Sequence, residues 1–423
     1  MEAKQAQAKI TSARRVAFEI LRLVEAGKGH SDDLLRGPRM EELSEADRHL
    51  ATALVMGVLR WRIALDARVR GLLERPDQKL PEEVALALAM GAFQLLHMDR
   101  IPAHAALSES VELCRAAGHS YATGMVNAIL RKVAASKPTS QNRDVGHPIF
   151  ERTAVFAERL GHPLWLVERW VEHYGRAAAL TICEADQREP GRGGLFESSE
   201  DGLPEIDDGS RLVAELAAVA VPVVEARAAR VWDCCAAPGG KTLVLAARLP
   251  QAEVLATDVS AKRMAAMQGR LRRFEYASGV KTAVLDAAKV PESAGLFDLI
   301  LCDVPCSGTG TLGRNPEIRL RLAPEELARQ AARQEAILAA ALKRLAVGGR
   351  LVYSTCSLEP EECEAVVARA GEEFRRISVT QLVGNIPGLA VREGLVRDAA
   401  LRTLPGVQDC DGFYAVVLER VDG

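Results

Sequence analysis

Two cysteines stand at the ends of two apolar runs. Cys356 follows the run in LVYSTCSLEP, residues 351 to 360, and Cys306 follows the one in LILCDVPCSGTG, residues 299 to 310. A thiol in such a place can pack, ligate a metal or act as a nucleophile. Structural zinc sites pair their ligands two to four residues apart in each of two knuckles. Here Cys302 lies within its run, and Cys234 and Cys235 are adjacent and so point to opposite sides. No metal is expected, and Cys114, Cys183, Cys302 and Cys410 are expected only to pack.

A third stretch could hold a ligand. DCCAAPGGKT, residues 233 to 242, is a Gly-rich turn from an apolar run into a helical one. A phosphate-binding loop needs Gly five places before the Gly of GKT, where Cys235 stands, and G-x-G-x-x-G is absent. What remains is a helix N-terminus whose N–H groups suit a ligand carboxylate, with Gly239 and Gly240 permitting close approach. The next runs end at Asp258 and Asp286. An acid at the second strand's end commonly accepts ribose hydroxyls, and one at the third suits the base or amino group of the same ligand. Each Asp alone reads first as a strand-end cap or a surface acid. As a series along one edge they describe an amino-acid-bearing nucleoside, and S-adenosylmethionine fits.

These residues need a sheet to align them. From residue 230 short β-rich runs (RVWDCC, EVLATD, VKTAVLD, FDLILCD, GRLVYSTC) alternate with helical stretches at about 240 to 249, 260 to 277 and 324 to 347. That alternation predicts a doubly wound, mostly parallel sheet, with ligands beyond the carboxyl ends of its strands. DGFYAVVLERV alternates as a late antiparallel strand does. Residues 11 to 136 read as a bundle of amphipathic helices, one starting at Ser44 with Asp47 three places on. Arg60, Arg62, Arg68 and Arg70 form a basic face, open to phosphates or simply solvated. SKPTSQNRDVGHP, residues 136 to 148, reads as a linker. Two helices follow around PLWLVERWVEHYG and RAAALTICEAD, and then a loop, QREPGRGGLFESSEDGLPEIDDGS.

The chain's 423 residues imply two or three domains. Domains are expected at 1–137, 138–229 and 230–423. Nine cysteines without a secretory signal predict reduced thiols and a cytoplasmic protein, and no run is apolar enough to span a membrane. The net charge is −3, yet the first 140 residues hold 20 Lys/Arg against 17 Asp/Glu, which permits nucleic-acid contact without requiring it.

DCCAAPGGKT, Asp258, Asp286, DVPCSGTG and YSTCSLEPEE, in this order, resemble the RNA 5-methylcytosine methyltransferases of the Fmu/Sun (NOL1/NOP2) family. Residues 11 to 136 resemble the NusB-like domain fused to its ribosomal-RNA members, and LPGVQDCDGFYAVVLE resembles their ending. The implied fold is an all-α NusB-like domain followed by a Rossmann-like class I methyltransferase domain. The implied cofactor is S-adenosyl-L-methionine, held by Cys235, Ala236, Ala237, Pro238, Gly239, Gly240, Lys241, Asp258, Arg263, Asp286 and Asp303. Cys356 is implied as nucleophile and Cys306 as its assistant in the second stage. Asp303 is implied to hold the amino and ring-nitrogen edge of cytosine, and Lys241 to lie near the cofactor or active site.

The chemistry requires such a set. Carbon 5 of cytosine is a poor nucleophile, and a thiolate added at carbon 6 turns the ring into an enamine that can attack. The carbon-5 proton must then leave and the thiolate be expelled. The base has to come from a loop or leave its stack, because both faces must be reached; the helical domain is a plausible RNA handle or an architectural piece. The implied partner is ribosomal RNA, most directly 16S, acted on by a monomer with no DNA and no membrane. Transfer RNA is the alternative substrate, and an RNA-binding ribosome-assembly factor the alternative class. A DNA cytosine methyltransferase would use the cysteine of the Pro-Cys motif, against which Cys356 argues. Two departures stand out. Only GRGGLFESSED occupies the place of a small α+β subdomain, which is expected to be truncated, and Cys234 replaces an apolar residue.

Overall fold

A computed structural model describes residues 10–136, 152–189, 191, 194–197, 202–225, 227–390 and 393–421. The chain divides into two compact units, Met1–Arg188 with Gly313–Arg321, and Glu189–Leu312 with Leu322–Gly423.

The first unit is helical. Its central helix, Glu82–His97, is apolar nearly all round and buries Val84 and every residue from Leu86 to Leu95, as a helix surrounded by others must. The long helix Glu45–Arg70 crosses it at Gly57, where a Cβ would fall 1.9 Å from the Phe93 ring, so only Gly fits. Ser44 caps that long helix, its Oγ accepting from the Asp47 amide at 3.2 Å. Buried Arg14 is satisfied by Glu109 at 2.9 Å and by Gln94 at 2.6 Å. The segment Gly313–Arg321 is held here by polar contacts. Buried Glu317 accepts from the Ser31 amide at 3.1 Å and the Ser31 hydroxyl at 2.8 Å, and Leu320 packs on the bundle core. Buried Arg319 donates to the carbonyls of Arg60, Gly161 and Asp186.

Among the described residues the second unit is built on a nine-stranded sheet. Its strands are β1 (Arg230–Asp233), β2 (Glu253–Asp258), β3 (Lys281–Val284), β4 (Phe297–Asp303), β5 (Leu345–Thr355), β6 (Phe374–Ile377), β7 (Val396–Arg397), β8 (Ala400–Thr403) and β9 (Phe413–Arg420). The order is β3-β2-β1-β4-β5-β9-β8-β7, with β6 also on β9. The first five strands are parallel and β9 is antiparallel to β5. The chain leaves β1 toward β2 and β3, then returns to add β4 and β5 on the other side. That reversal opens a crevice at the carboxyl ends of β1 and β4. β4 buries six of its seven residues, as a strand covered on both faces should.

Several expectations are corrected. The helix placed at 324 to 347 is Pro324–Leu342, and β5 begins at Leu345. The reason is a bulge: Gly348 takes φ +71° and the register with β4 shifts between Phe297 and Leu299, so the strand runs through AVGG, which pattern alone reads as a break. Helix Thr153–Arg159 and strands β6 to β8 were not expected, being too short for a periodic signal. Arg60 and Arg62 do not form an open basic face. Arg60 donates to the Gly313 carbonyl, and Arg62 pairs with Glu25 and with Asp66 at 2.9 Å. The linker expected at 136 to 148 lies, beyond Ser136, outside the described residues, as do parts of the GRGGLFESSED stretch.

Candidate active site

Five strand ends deliver the chemistry to one cavity of about 250 Å³ in the second unit. Cys235 and Ala237 reach it from the turn after β1, Asp258 from β2, Asp286 from the turn after β3, Asp303 and Cys306 from β4, and Cys356 from β5; Arg263 and Arg333 come from helices. Apolar Val259, Leu285, Val304 and Ile337 are part of the lining.

The turn after β1 is shaped by its glycines. Gly239 has φ +96°, which L side chains rarely adopt, and a Cβ there would sit 2.8 Å from Met267 Cγ. Helix Gly240–Arg248 starts immediately after, which leaves its first N–H groups free of helical partners. Ala236, Pro238, Gly239 and Gly240 form this turn without lining the cavity. Arg263 secures it, reaching Asp258 at 3.3 Å and the Ala237 carbonyl. Asp258 also accepts from the Ser260 amide at 2.8 Å, and Asp286 from the Ala288 amide at 3.1 Å. Both acids thus order their own turns while presenting carboxylate to the cavity. Below the turn, Asp233 is buried, its Oδ2 accepting from Thr242 at 2.6 Å and its Oδ1 unpartnered. Burial first, and then Asp303 and Asp258, raise its pKa to about 7 against the pull of Thr242 and Lys241.

Lys241 lies behind the cavity wall with its Nζ 2.7 Å from Asp303 Oδ2, while Ser354 donates to Asp303 Oδ1 at 2.9 Å. Burial opposes the lysine's charge, yet Asp303, Cys356 and Asp233 outweigh it and raise its pKa above the ordinary value. Each Asp303 oxygen keeps a second lone pair for a further donor.

Cys306 Sγ and Cys356 Sγ are 3.1 Å apart. This is hydrogen-bond contact, too long for a disulfide, and both thiols are free. Contact with the Cys306 thiol first, then burial, pushes the Cys356 thiol well above the usual cysteine range; Asp303 adds to this and Lys241 pulls the other way. Cys302 packs as expected, buried with its Sγ 3.3 Å from that of Cys234, and Cys114 and Cys183 are buried likewise. Among the described residues no cluster could hold a metal ion, and no helix is long and apolar enough to cross a membrane.

Sequence reasoning passed over the groups behind the two cysteines. Ser307 and Ser357, each next to a cysteine, both bond to buried Glu362, which also takes Gln334. The signal available was the repeated Cys-Ser pair followed by an acid in EPEE.

Residues 223–419 match the family model of the 16S rRNA methyltransferase RsmB/F, and residues 11–135 that of the NusB family. The Ribosomal RNA small subunit methyltransferase B of Xanthomonas campestris pv. campestris is 33% identical over 396 residues, covering 88% of this chain and 89% of its own. The chain belongs to the RsmB/F family. The enzyme of that name from Salmonella enteritidis PT4 is 30% identical over 452 residues, covering 97% of this chain and 100% of its own. The crystal structure of PH0851 superposes with a TM-score of 0.73 at 21% identity, over 98% of this chain and 100% of that one, and carries the fold alone. The expected fold therefore holds: a NusB domain and a Rossmann-like methyltransferase domain. An RsmB/F methyltransferase uses S-adenosylmethionine, and the cavity suits it. A left-handed glycine turn opens a helix N-terminus, two carboxylates sit at successive strand ends, and apolar side chains lie between.

Proposed function

We propose that the protein methylates carbon 5 of a cytidine in small-subunit (16S) ribosomal RNA through a covalent bond between Cys356 Sγ and carbon 6 of the base. The observation that carries this is the pair of cavity-lining thiols 3.1 Å apart, from two different strand ends. Two bonded ring carbons need one sulfur to add and another group to act beside it. The family's ribosomal-RNA relatives and the NusB domain point to the substrate. The chain is taken to act as a cytoplasmic monomer on RNA and not on DNA.

The turn from Cys235 to Lys241, with Asp258, Arg263, Asp286 and Asp303, would hold the cofactor. When bound, S-adenosylmethionine supplies the methyl group. Cys356, held as a thiol in the free protein by Cys306 and burial, adds to carbon 6 as its proton passes through solvent to the ring nitrogen N3, leaving a neutral enamine; the nearby Lys241 ammonium favours the thiolate on the way. Asp303, anchored by Lys241 and Ser354, accepts with its remaining lone pairs from the amino group and from the N3–H formed in the adduct, and so steadies it. After carbon 5 is methylated, its proton passes to a water beside Cys306, or to Cys306 once that thiol has given its own proton to solvent. The electron pair restores the carbon 5–carbon 6 double bond, the Cys356 thiolate leaves, and the proton held at the ring nitrogen returns to it through solvent.

The test is incubation with methyl-labelled cofactor and small-subunit RNA, read as labelled 5-methylcytosine. Cys356→Ala should abolish transfer, and Cys306→Ala should leave an RNA adduct stable to denaturant. An adduct that persists in Cys356→Ala reverses the two roles, and absence of label in 5-methylcytosine overturns the reading.

A further inference from the structure

The network behind the cysteines has a symmetry that burial alone does not require. Glu362 is fully buried in the short turn after β5. Its Oε1 accepts from the Ser307 amide and from Gln334 Nε2, each at 2.9 Å. Its Oε2 accepts from the Ser307 hydroxyl and, at 2.6 Å, from the Ser357 hydroxyl. Those serines directly follow Cys306 and Cys356 and lie 3.1 Å from each other. The carboxylate is anchored in turn. Tyr353 donates to the Glu362 carbonyl at 2.7 Å, and Gln334, on helix Pro324–Leu342, also donates to the Pro305 carbonyl at 2.9 Å.

A buried carboxylate is costly unless its lone pairs are filled, and here four donors fill them. Three of the donors belong to the cysteines' own neighbours in the chain, two from Ser307 and one from Ser357, so one rigid group sets the spacing of two loops that come from different strands. Apolar packing would bury the same residues but would let either loop slide. We propose that Glu362 is a positioning residue that holds Cys306 and Cys356 in mutual register through Ser307 and Ser357, so that addition at carbon 6 and proton loss at carbon 5 stay coupled. The assignment of those two steps rests on the function proposed above; the register itself does not.

The two serines separate the steps. In the full chain, Ser357→Ala frees the Cys356 loop, and turnover should fall about tenfold with no build-up of adduct, the scale set by small misplacement of a reacting group. Ser307→Ala removes the hydroxyl bond and leaves the amide on Oε1, which loosens the Cys306 loop and should raise the fraction of RNA trapped as adduct about tenfold. Glu362→Gln should do both, and Glu362→Asp, which keeps the charge, should restore part of the coupling. A short bifunctional thiol reagent that links Cys306 to Cys356 reads the register without RNA, with Cys306→Ser as blank, and all three first variants should link more slowly. Melting temperatures identify variants that merely unfold. If linking keeps the wild-type rate in folded Glu362→Gln, the proposal is overturned. It is equally overturned if both serine variants lose activity at an unchanged ratio of adduct to turnover. If Cys306→Ala itself traps no adduct, the assignment of steps fails, and the linking rates alone then decide the role of Glu362.

Discussion

Asp233→Asn should make the catalytic unit's stability less sensitive to rising pH between 5.5 and about 8. The wild-type carboxyl is buried, with one oxygen on Thr242 and the other unpartnered, and its pKa rises from 3.8 to about 7. A group whose folded pKa is raised contributes stability that is whole below its unfolded pKa and disappears as pH rises through the folded one. The full span, from 3.8 to about 7, corresponds to about 4 kcal/mol. Between pH 5.5 and pH 8 roughly 2 kcal/mol of it is lost, or about 5 °C in melting temperature for a unit of this size. Asparagine keeps the acceptor for Thr242 and removes the charge. Its amide also meets the unpartnered place, a cost that does not depend on pH, so the slope carries the answer and not the level. Thermal unfolding of both proteins by calorimetry at half-unit steps from pH 5.5 to 8 is the assay. The wild-type curve should decline by the amount above relative to that of the variant; parallel curves would falsify the buried, uncompensated carboxyl.

Other consequences concern both units. His162 is buried, its Nδ1 donating to the Leu160 carbonyl at 2.7 Å, and burial first and then Arg319 lower its pKa to about 4 in spite of Asp186. Its stabilising effect is therefore complete above pH 6.5 and falls by about 3 kcal/mol as the pH drops toward 4; His162→Asn, which keeps the donor to Leu160, should flatten that acid limb in urea titrations. Gly310→Ala would place a Cβ 2.3 Å from the Gly412 carbonyl and 2.8 Å from that of Cys356, both backbone. A loss of roughly 2–3 kcal/mol at unchanged m-value is expected, together with reduced turnover. Glu317→Ala leaves the buried amide and hydroxyl of Ser31 without acceptors and should cost roughly 2–3 kcal/mol, with Glu317→Gln costing less. A double-mutant cycle with Ser31→Ala checks that the energy belongs to this contact.

The sequence by itself determined the order of the parallel strands' chemistry. Apolar runs ending in Asp258, Asp303 and Cys356 read as strands whose carboxyl ends share one edge, because side-chain period and strand polarity are local properties. It also determined the helical first unit, since Leu86 to Leu95 and Ser44 carry their signals within a few turns. Tertiary structure decided what those signals could not contain. Arg60 and Arg62 read as a basic face, but their partners lie far along the chain or a turn away, and only the folded bundle turns them inward. Likewise Lys241 and Asp303, 62 positions apart in sequence, become a pair at 2.7 Å only when β1 and β4 stand side by side. Glu362 looked like one acid among several in EPEE. Its burial against two serines from separate loops is a long-range fact, set by which loops the sheet brings together.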